Sequence, residues 1–383
     1  MRVSPADLYA ELTDGLARPV RLSELFAGAA ARGMAPDAAA LEAERARPLA
    51  EQEGAEIAQG ELLSEWLALP REGAHLVWAM LRPTEEALSR LEAFKRDGGV
   101  RLGKVSVRRE GRAAVLEIGN PRHLNAEDET TLADTEVAVD LILLDDAIEV
   151  GVLRGGLVEQ GKHAGRRVFG AGLNLTSLYR GKLPFAFFLD RDLGYVNKIF
   201  RGLSGPVFRG PGAPEETTEK LWVAGVETFA IGGACQLLHV VDHVIAERGA
   251  RMSLPARKEG IVPGASPLRL PRAVGDRLAR QAIMSGRELV AGTPEGDLLV
   301  DEVVEPGEMD AALAARVAAL TSSGIVNAAA NRRALRVGAE PLALFQAYMA
   351  TYAREQAQCH FSPALVANLE EHWNARERRL DGA

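Results

Sequence analysis

Two glycine-bearing stretches hold the residues whose types and spacing offer chemistry. "RRVFGAGLNL" brings Gly170 and Gly172 up to Leu173. "ETFAIGGACQLL" brings Gly232 and Gly233 to the start of an apolar helix, with Gln236 close behind. A helix start leaves backbone N–H groups unpaired and carries partial positive charge, so it stabilises an anionic oxygen. Two such donors from two strand ends make an oxyanion hole, each worth a few kcal/mol to a developing charge. The first polar side chain after the second pair is the neutral amide of Gln236, where a carboxylate would have made an obvious acid or base. Glycine pairs also serve ordinary tight turns, so each stretch taken alone leaves a steric reading open.

Other candidates carry less. "HVVDH" sets His239 and His243 one helical turn apart, a spacing able to bind a metal, but it lacks the glutamate of HExxH and a third ligand nearby. Cys235 reads as a small residue packed under the glycine turn, and Cys359–His360 as sequence neighbours rather than a dyad. "GAGLNL" does not complete GxGxxG, and neither GxxxxGK[ST] nor GxSxG occurs. Arg166 and Arg167 in "AGRR" read equally as phosphate contacts or as a solvated pair.

The elements that must position these residues fall into three units: 1–98, 99–305 and 306–383. The first reads as helix after helix. "SPADLYAELTDGL" opens on a Ser N-cap with Pro at the first helical position, and "PTEEALSRLEAFKRDGG" has helical periodicity and a glycine stop. From about residue 100, "VRLGKVSVRREGRAAVLEIGNP" alternates around "REGR" as a β-hairpin. "NAEDETTLADTEVAVDLILLDDA" predicts a helix with acids at its start. "IEVGVLRG", "GRRVFGAGLNL", "KLWVAGVETFAIGG" and "HVIAERGARMSLP" predict strands, giving repeated β-β-α units around a mostly parallel sheet. Beyond Pro271 the chain turns helical again, as in "PRAVGDRLARQAIMSGR" and "PLALFQAYMATYAREQAQ", with "DLLVDEVV" as one strand. "GPVFRGPGAPEE" is the best candidate for a mobile loop.

The totals exclude some classes. The chain has 383 residues, 47% hydrophobic and 26% charged, with a formal net charge of −8. Such acidity argues against nucleic acid as a partner. Two distant cysteines give no disulfide framework, and no apolar stretch reaches the roughly 18 residues of a membrane helix. The expectation is a cytoplasmic enzyme without nucleic-acid or membrane partners.

In their order, "RGG", "RRVFGAGLNL", "WVAGVETFAIGGACQLL" and "SLPARKEGIVPGASPLRL" resemble the crotonase, or enoyl-CoA hydratase/isomerase, superfamily. The resemblance implies an α/β fold, a crotonase-like ββα spiral core with a helical N-terminal extension and a helical C-terminal region, assembled as homotrimers or hexamers. It also implies that the N–H groups of Leu173 and Gly233 hold the thioester oxygen of an acyl-CoA as it becomes an enolate. Hydratases of the family carry glutamates where this chain has Gln236 and, in "PA", Ala256. Glu259 lies three residues further on, outside that register, so water addition is not expected.

"NAEDETTLADTEVAVDLILLDDAIEVGVLRGG", "RDLGYVNKI", "FAIGGACQLL" and "KEGIVPGA" are similar to the cofactor-free dioxygenases of dihydroxyphenylglycine assembly, which serve glycopeptide-type antibiotic biosynthesis. That resemblance implies conversion of 3,5-dihydroxyphenylacetyl-CoA and O2 to the arylglyoxylate and CoA, with no cofactor. It assigns Glu127 and Arg191 to the ring hydroxyls and Ile261 to an apolar wall beside the O2 site. The alternatives are another enolate reaction (isomerisation, thioester hydrolysis or decarboxylation) or a catalytically silent acyl-CoA-binding scaffold. No side chain presents itself in the sequence as the base for the α-proton.

Overall fold

The structure is a computed structural model, and it describes residues 3–213 and 215–379. Helices fill the N-terminal stretch as expected: Pro5–Leu12, Leu22–Ala30, Ala38–Arg45, Ile57–Ala68, Pro70–Met80 and Glu85–Asp97. The Ser4 side chain caps the first by accepting from Asp7 N, with Pro5 behind it. Thr84 caps Glu85–Asp97, and Gly98, at φ 69°, ends it in the left-handed conformation that glycine tolerates.

The strands are β1 (Gly99–Leu102), β2 (Val105–Glu110), β3 (Ala113–Ile118), β4 (Val150–Gly155), β5 (Leu203–Ser204), β6 (Thr217–Thr218), β7 (Leu221–Val226), β8 (Phe229–Ile231), β9 (His243–Glu247), β10 (Arg251–Ser253), β11 (Leu289–Val290) and β12 (Glu302–Val304). The larger sheet runs β1-β2-β3-β4-β7-β9-β12, the smaller β11-β10-β8. The expected hairpin pairs β2 with β3, and β3-β4-β7-β9-β12 are parallel throughout. Successive strands β7, β8, β9 and β10 alternate between the two sheets, so the chain climbs as a spiral of ββα turns.

Several local expectations need correction. "GRRVFGAGLNL" forms no regular strand, only single bridges that include Gly170–Ala230 and Glu127–Leu173. "KLWVAGVETFAIGG" is two strands in two sheets, because the chain turns at Glu227–Thr228, where Thr228 takes φ 65°. The helix expected to begin in "NAEDE" begins only at Leu132, so Glu127 is a loop residue and no first-turn acid. "PRAVGDRLARQAIMSGR" contributes to two helices, Ser266–Val274 and Asp276–Ser285, parted at Gly275 (φ 78°). "DLLVDEVV" is extended only at Glu302–Val304.

One apolar core lies around the larger sheet and the helix Leu132–Leu144. A second joins the N-terminal helices to the segment around Phe185–Leu193 and to the helix Leu342–His360. The latter crosses Ile57–Ala68 at Gly60, where a Cβ would overlap that of Ala357. The two terminal helical regions thus share one core. Pro214, within the stretch read as a loop, and residues 1–2 and 380–383 of the terminal units lie outside the described residues. Among the described residues no single helix is long and apolar enough to cross a membrane.

Candidate active site

The loop before the helix Leu132–Leu144 is folded by its own polar side chains. Leu124 and Asn125 take φ 54° and 57°. The Asn125 amide nitrogen donates to Gly156 O and Val168 O, both at 2.8 Å, tying this loop to the end of β4. Asp128 accepts from the amides of Asn120 and Asn174, each at 3.1 Å. Between these anchors, Glu127 N donates to Gly172 O (2.6 Å) and Asn174 N to Glu127 O (2.7 Å). Peptide groups alternate direction along extended chain, so the N–H of Leu173, between those two bonds, faces away from Glu127.

The second glycine turn meets it from the other side. Gly232 takes φ 55° and ψ −121°, a region only glycine enters freely, and precedes the helix Gly233–Leu237. Gly233 N is therefore an unpaired first-turn donor. A Cβ on Gly172 would lie 2.8 Å from Gly233 N and 2.5 Å from Ile231 O, so the two turns touch backbone to backbone. Among the described residues neither Leu173 N nor Gly233 N has a hydrogen-bond partner.

All six residues singled out in the sequence, Leu173, Gly233, Gln236, Glu127, Arg191 and Ile261, line one inner cavity of about 30 Å3. A second cavity of about 300 Å3, large enough for an organic ligand, adjoins it, with Leu173 and Glu259 in both walls. Arg191 is buried and fully engaged. Its Nε and Nη2 grip Glu127 at 2.6 and 3.0 Å, Nη1 donates to Gln236 Oε1 at 2.8 Å, and Nη2 donates to Gly233 O at 2.8 Å. Tyr195 Oη also donates to Glu127, at 2.5 Å. Burial alone would pull the Arg191 pKa down, but the charge of Glu127 outweighs it and the guanidinium is held well above its ordinary value. With its oxygen turned to Arg191, the Gln236 amide keeps its NH2 donors for the cavity.

Four further side chains shape the site, with Asp192, Tyr352 and Glu259 in the inner-cavity wall and Tyr195 behind it on Glu127. Tyr195 follows Arg191 by one helical turn of sequence, a spacing legible in "RDLGY". Asp192 is buried and raised in pKa by that burial. Tyr352 arrives from the helix Leu342–His360, with nothing local in the sequence to announce it. Glu259 ends the short helix Ala256–Glu259.

The residues set aside stay outside. Burial pushes the Cys235 thiol up to about 12 and the His239 and His360 imidazoles down to about 3, which leaves them neutral and inert near pH 7. Arg167 pairs with Glu117 and donates to Gly155 O, and Arg166 sits 3.8 Å from Glu247. Neither lines the inner or the outer cavity. Among the described residues no group of three His, Cys, Asp or Glu side chains is placed to hold a metal ion.

Residues 216–361 match the family described as enoyl-CoA hydratase/isomerase. Over 354 residues the chain is 46% identical to a (3,5-dihydroxyphenyl)acetyl-CoA 1,2-dioxygenase of Amycolatopsis orientalis, covering 92% of this chain and 80% of that one. This chain belongs to the enoyl-CoA hydratase/isomerase family. A short-chain-enoyl-CoA hydratase of Clostridium acetobutylicum is a more distant member, 31% identical over 54% of this chain and 71% of its own. The family fold is also that of a solved enoyl-CoA hydratase/isomerase from Xanthobacter autotrophicus Py2, at a TM-score of 0.57 and 20% identity, covering 72% of this chain and 96% of that one.

Proposed function

We propose that this protein is a cofactor-independent dioxygenase that converts 3,5-dihydroxyphenylacetyl-CoA and O2 into 3,5-dihydroxyphenylglyoxylate and CoA. The observation that carries the proposal is the meeting of two unpartnered amides, Leu173 and Gly233, at a cavity where the neutral Gln236 stands in place of a carboxylate. The 46% identity to the Amycolatopsis orientalis dioxygenase supports the substrate.

The chemistry follows from the thioester. Its α-proton is acidified by both the ring and the carbonyl. The two amides bind the carbonyl oxygen more strongly as it gains charge, so they favour the enolate over the ground state. The enolate carbon gives an electron pair to O2 and bonds to it as a peroxide. Attack of the peroxide on the thioester carbonyl expels CoA, and O–O cleavage with loss of the remaining α-proton yields the arylglyoxylate. The carbanion is itself the reductant, so the electron balance closes without metal or flavin. The Gln236 NH2 group stands ready to donate to the peroxide, where a carboxylate would repel it.

Recognition of the ring falls to Arg191 and Glu127. The inner cavity has room for a small molecule but not for a phenol ring, so seating the ring requires these side chains to move. Exchanging Arg191–Glu127 bonds for bonds to ring hydroxyls conserves the number of hydrogen bonds, which makes the exchange affordable. The apolar side chain of Ile261 then borders the space left for O2. The outer cavity, with Lys258 and Arg378 in its wall, suits the CoA chain. Trimers, single or paired, complete the proposal. The helix Ile325–Ala339 leaves Val326, Leu335 and Val337 more than 70% exposed, a face for a second copy to cover.

The test is oxygen uptake by metal-stripped protein with this thioester, read together with arylglyoxylate and free CoA. One O2 consumed per CoA released is expected. Undiminished CoA release under nitrogen would make the protein a hydrolase instead.

A further inference from the structure

The reaction needs an acceptor for the α-proton, and the cavity contains three carboxylates that could serve. Glu127 is held by Arg191 and Tyr195. Asp192 accepts from Arg191 Nη1 at 3.5 Å. Glu259 differs: among the described residues its carboxylate has neither a hydrogen bond nor an ion pair. It stands where the two cavities meet, in the wall of both. A Cβ on Gly232 would lie 4.0 Å from Glu259 Oε1, which puts the carboxylate one residue from the Gly233 amide. A thioester with its oxygen on Leu173 N and Gly233 N and its CoA in the outer cavity must run its Cα past this junction.

The surroundings fit the role. Arg122, His123, Lys258, His372 and Arg378 line the outer cavity, yet burial is what governs the Glu259 acidity, lifting it to about 7. A base with that affinity is half ionised near neutral pH and strong enough to take a proton from an activated carbon acid. The sequence register of the hydratase glutamates passes over this position, because Glu259 comes from the last residue of the four-residue helix Ala256–Glu259 rather than from its start.

We propose that Glu259 is the general base of this enzyme: its carboxylate takes the α-proton while the C–H electron pair moves into the enolate held by Leu173 N and Gly233 N. The proton then passes to the departing CoA thiolate, which needs one, and the carboxylate is regenerated. This inference rests on the arylacetyl-thioester reading above.

The full-length enzyme, incubated in D2O under nitrogen with 3,5-dihydroxyphenylacetyl-CoA, reports the step as deuterium entering the α-carbon. Relative to wild type, Glu259→Gln should slow that exchange, and oxygen uptake in air, by about 10²-fold or more. Thioester affinity, measured by calorimetry under nitrogen, should change by less than about 3-fold, since no ligand contact is removed. Glu259→Asp, which keeps a carboxylate at a longer reach, should recover part of the exchange. Exchange by Glu259→Gln at the wild-type rate would overturn the assignment. Wild-type exchange without oxygen uptake would leave Glu259 in place and remove the dioxygenase reading, so the two fail separately.

Discussion

Arg191 and Glu127 are each about 5% exposed or less, and a buried ion pair punishes the loss of one partner more than the loss of both. Arg191→Ala leaves Glu127 as a buried charge with only Tyr195 beside it. It should cost about 3–5 kcal/mol of stability, measured by urea unfolding. Arg191→Met combined with Glu127→Gln should recover at least half of that loss, yet leave KM for the dihydroxyphenyl thioester raised while KM for unsubstituted phenylacetyl-CoA stays near wild type. Equal KM changes for both thioesters would remove the pair from ring recognition. Glu259 carries a separate, pH-dependent cost. Its pKa rises from the ordinary carboxylate range to about 7 on folding. The folded state therefore holds the proton more tightly, and the cost of the ionised form grows as pH climbs through that window and is complete above it. Glu259→Gln should raise Tm by about 2–4 °C at pH 8.5 and change it little at pH 4.5; a gain of equal size at both pH values would sink this account.

At the scale of elements, catalysis depends on two glycine turns lying back to back. Gly172 combines φ 78° with backbone from the other turn at 2.5 and 2.8 Å, so a methyl there must separate Leu173 N from Gly233 N. Gly172→Ala should lower kcat/KM by about 10²-fold or more, the loss expected for one oxyanion donor, while far-ultraviolet circular dichroism stays unchanged. An active Gly172→Ala enzyme would place the oxyanion site elsewhere. The glycine turns were legible because their residue types are restricted by backbone geometry. The same holds for the caps at Ser4, Thr84 and Gly98, and for the periodicity of the hairpin β2–β3. What resisted reading was decided by distant partners. The apolar run "KLWVAGVETFAI" looks continuous, but it breaks between β7 and β8, where Glu227 meets Arg154 and Thr228 meets Arg167 O, 73 and 61 residues away. "GRRVFGAGLNL" reads as a strand, yet its hydrogen bonds go singly to three different segments. Tyr352 joins Phe187 and Phe188 in the cavity wall from far along the chain for the same reason: only the packing of the terminal helices brings it there.

Those terminal helices act on the site as a unit. The helix Leu342–His360 lies against Ile57–Ala68 at Gly60, where Ala353 O would stand 2.9 Å from a Cβ. From its other side the helix holds the loop that carries Ile261. Gln356 Oε1 accepts from Val262 N at 2.9 Å, and Tyr348 Oη donates to Gly264 O. Position and orientation of the cavity wall are thus set by how closely two helices from opposite ends of the chain approach. Gly60→Val pushes them apart at the crossing and should cost about 1–3 kcal/mol as an overpacking defect, seen as a lower urea midpoint. If the helix carries the wall with it, kcat/KM at a temperature where the variant is fully folded should fall by about 10-fold, as displacement of positioning groups by about 1 Å can cost even more. Glu355→Gln, on the exposed side of the same helix, should leave both quantities near wild type. A destabilised Gly60→Val enzyme with wild-type kcat/KM would show that the wall keeps its shape without the helix, and that the terminal regions contribute stability alone.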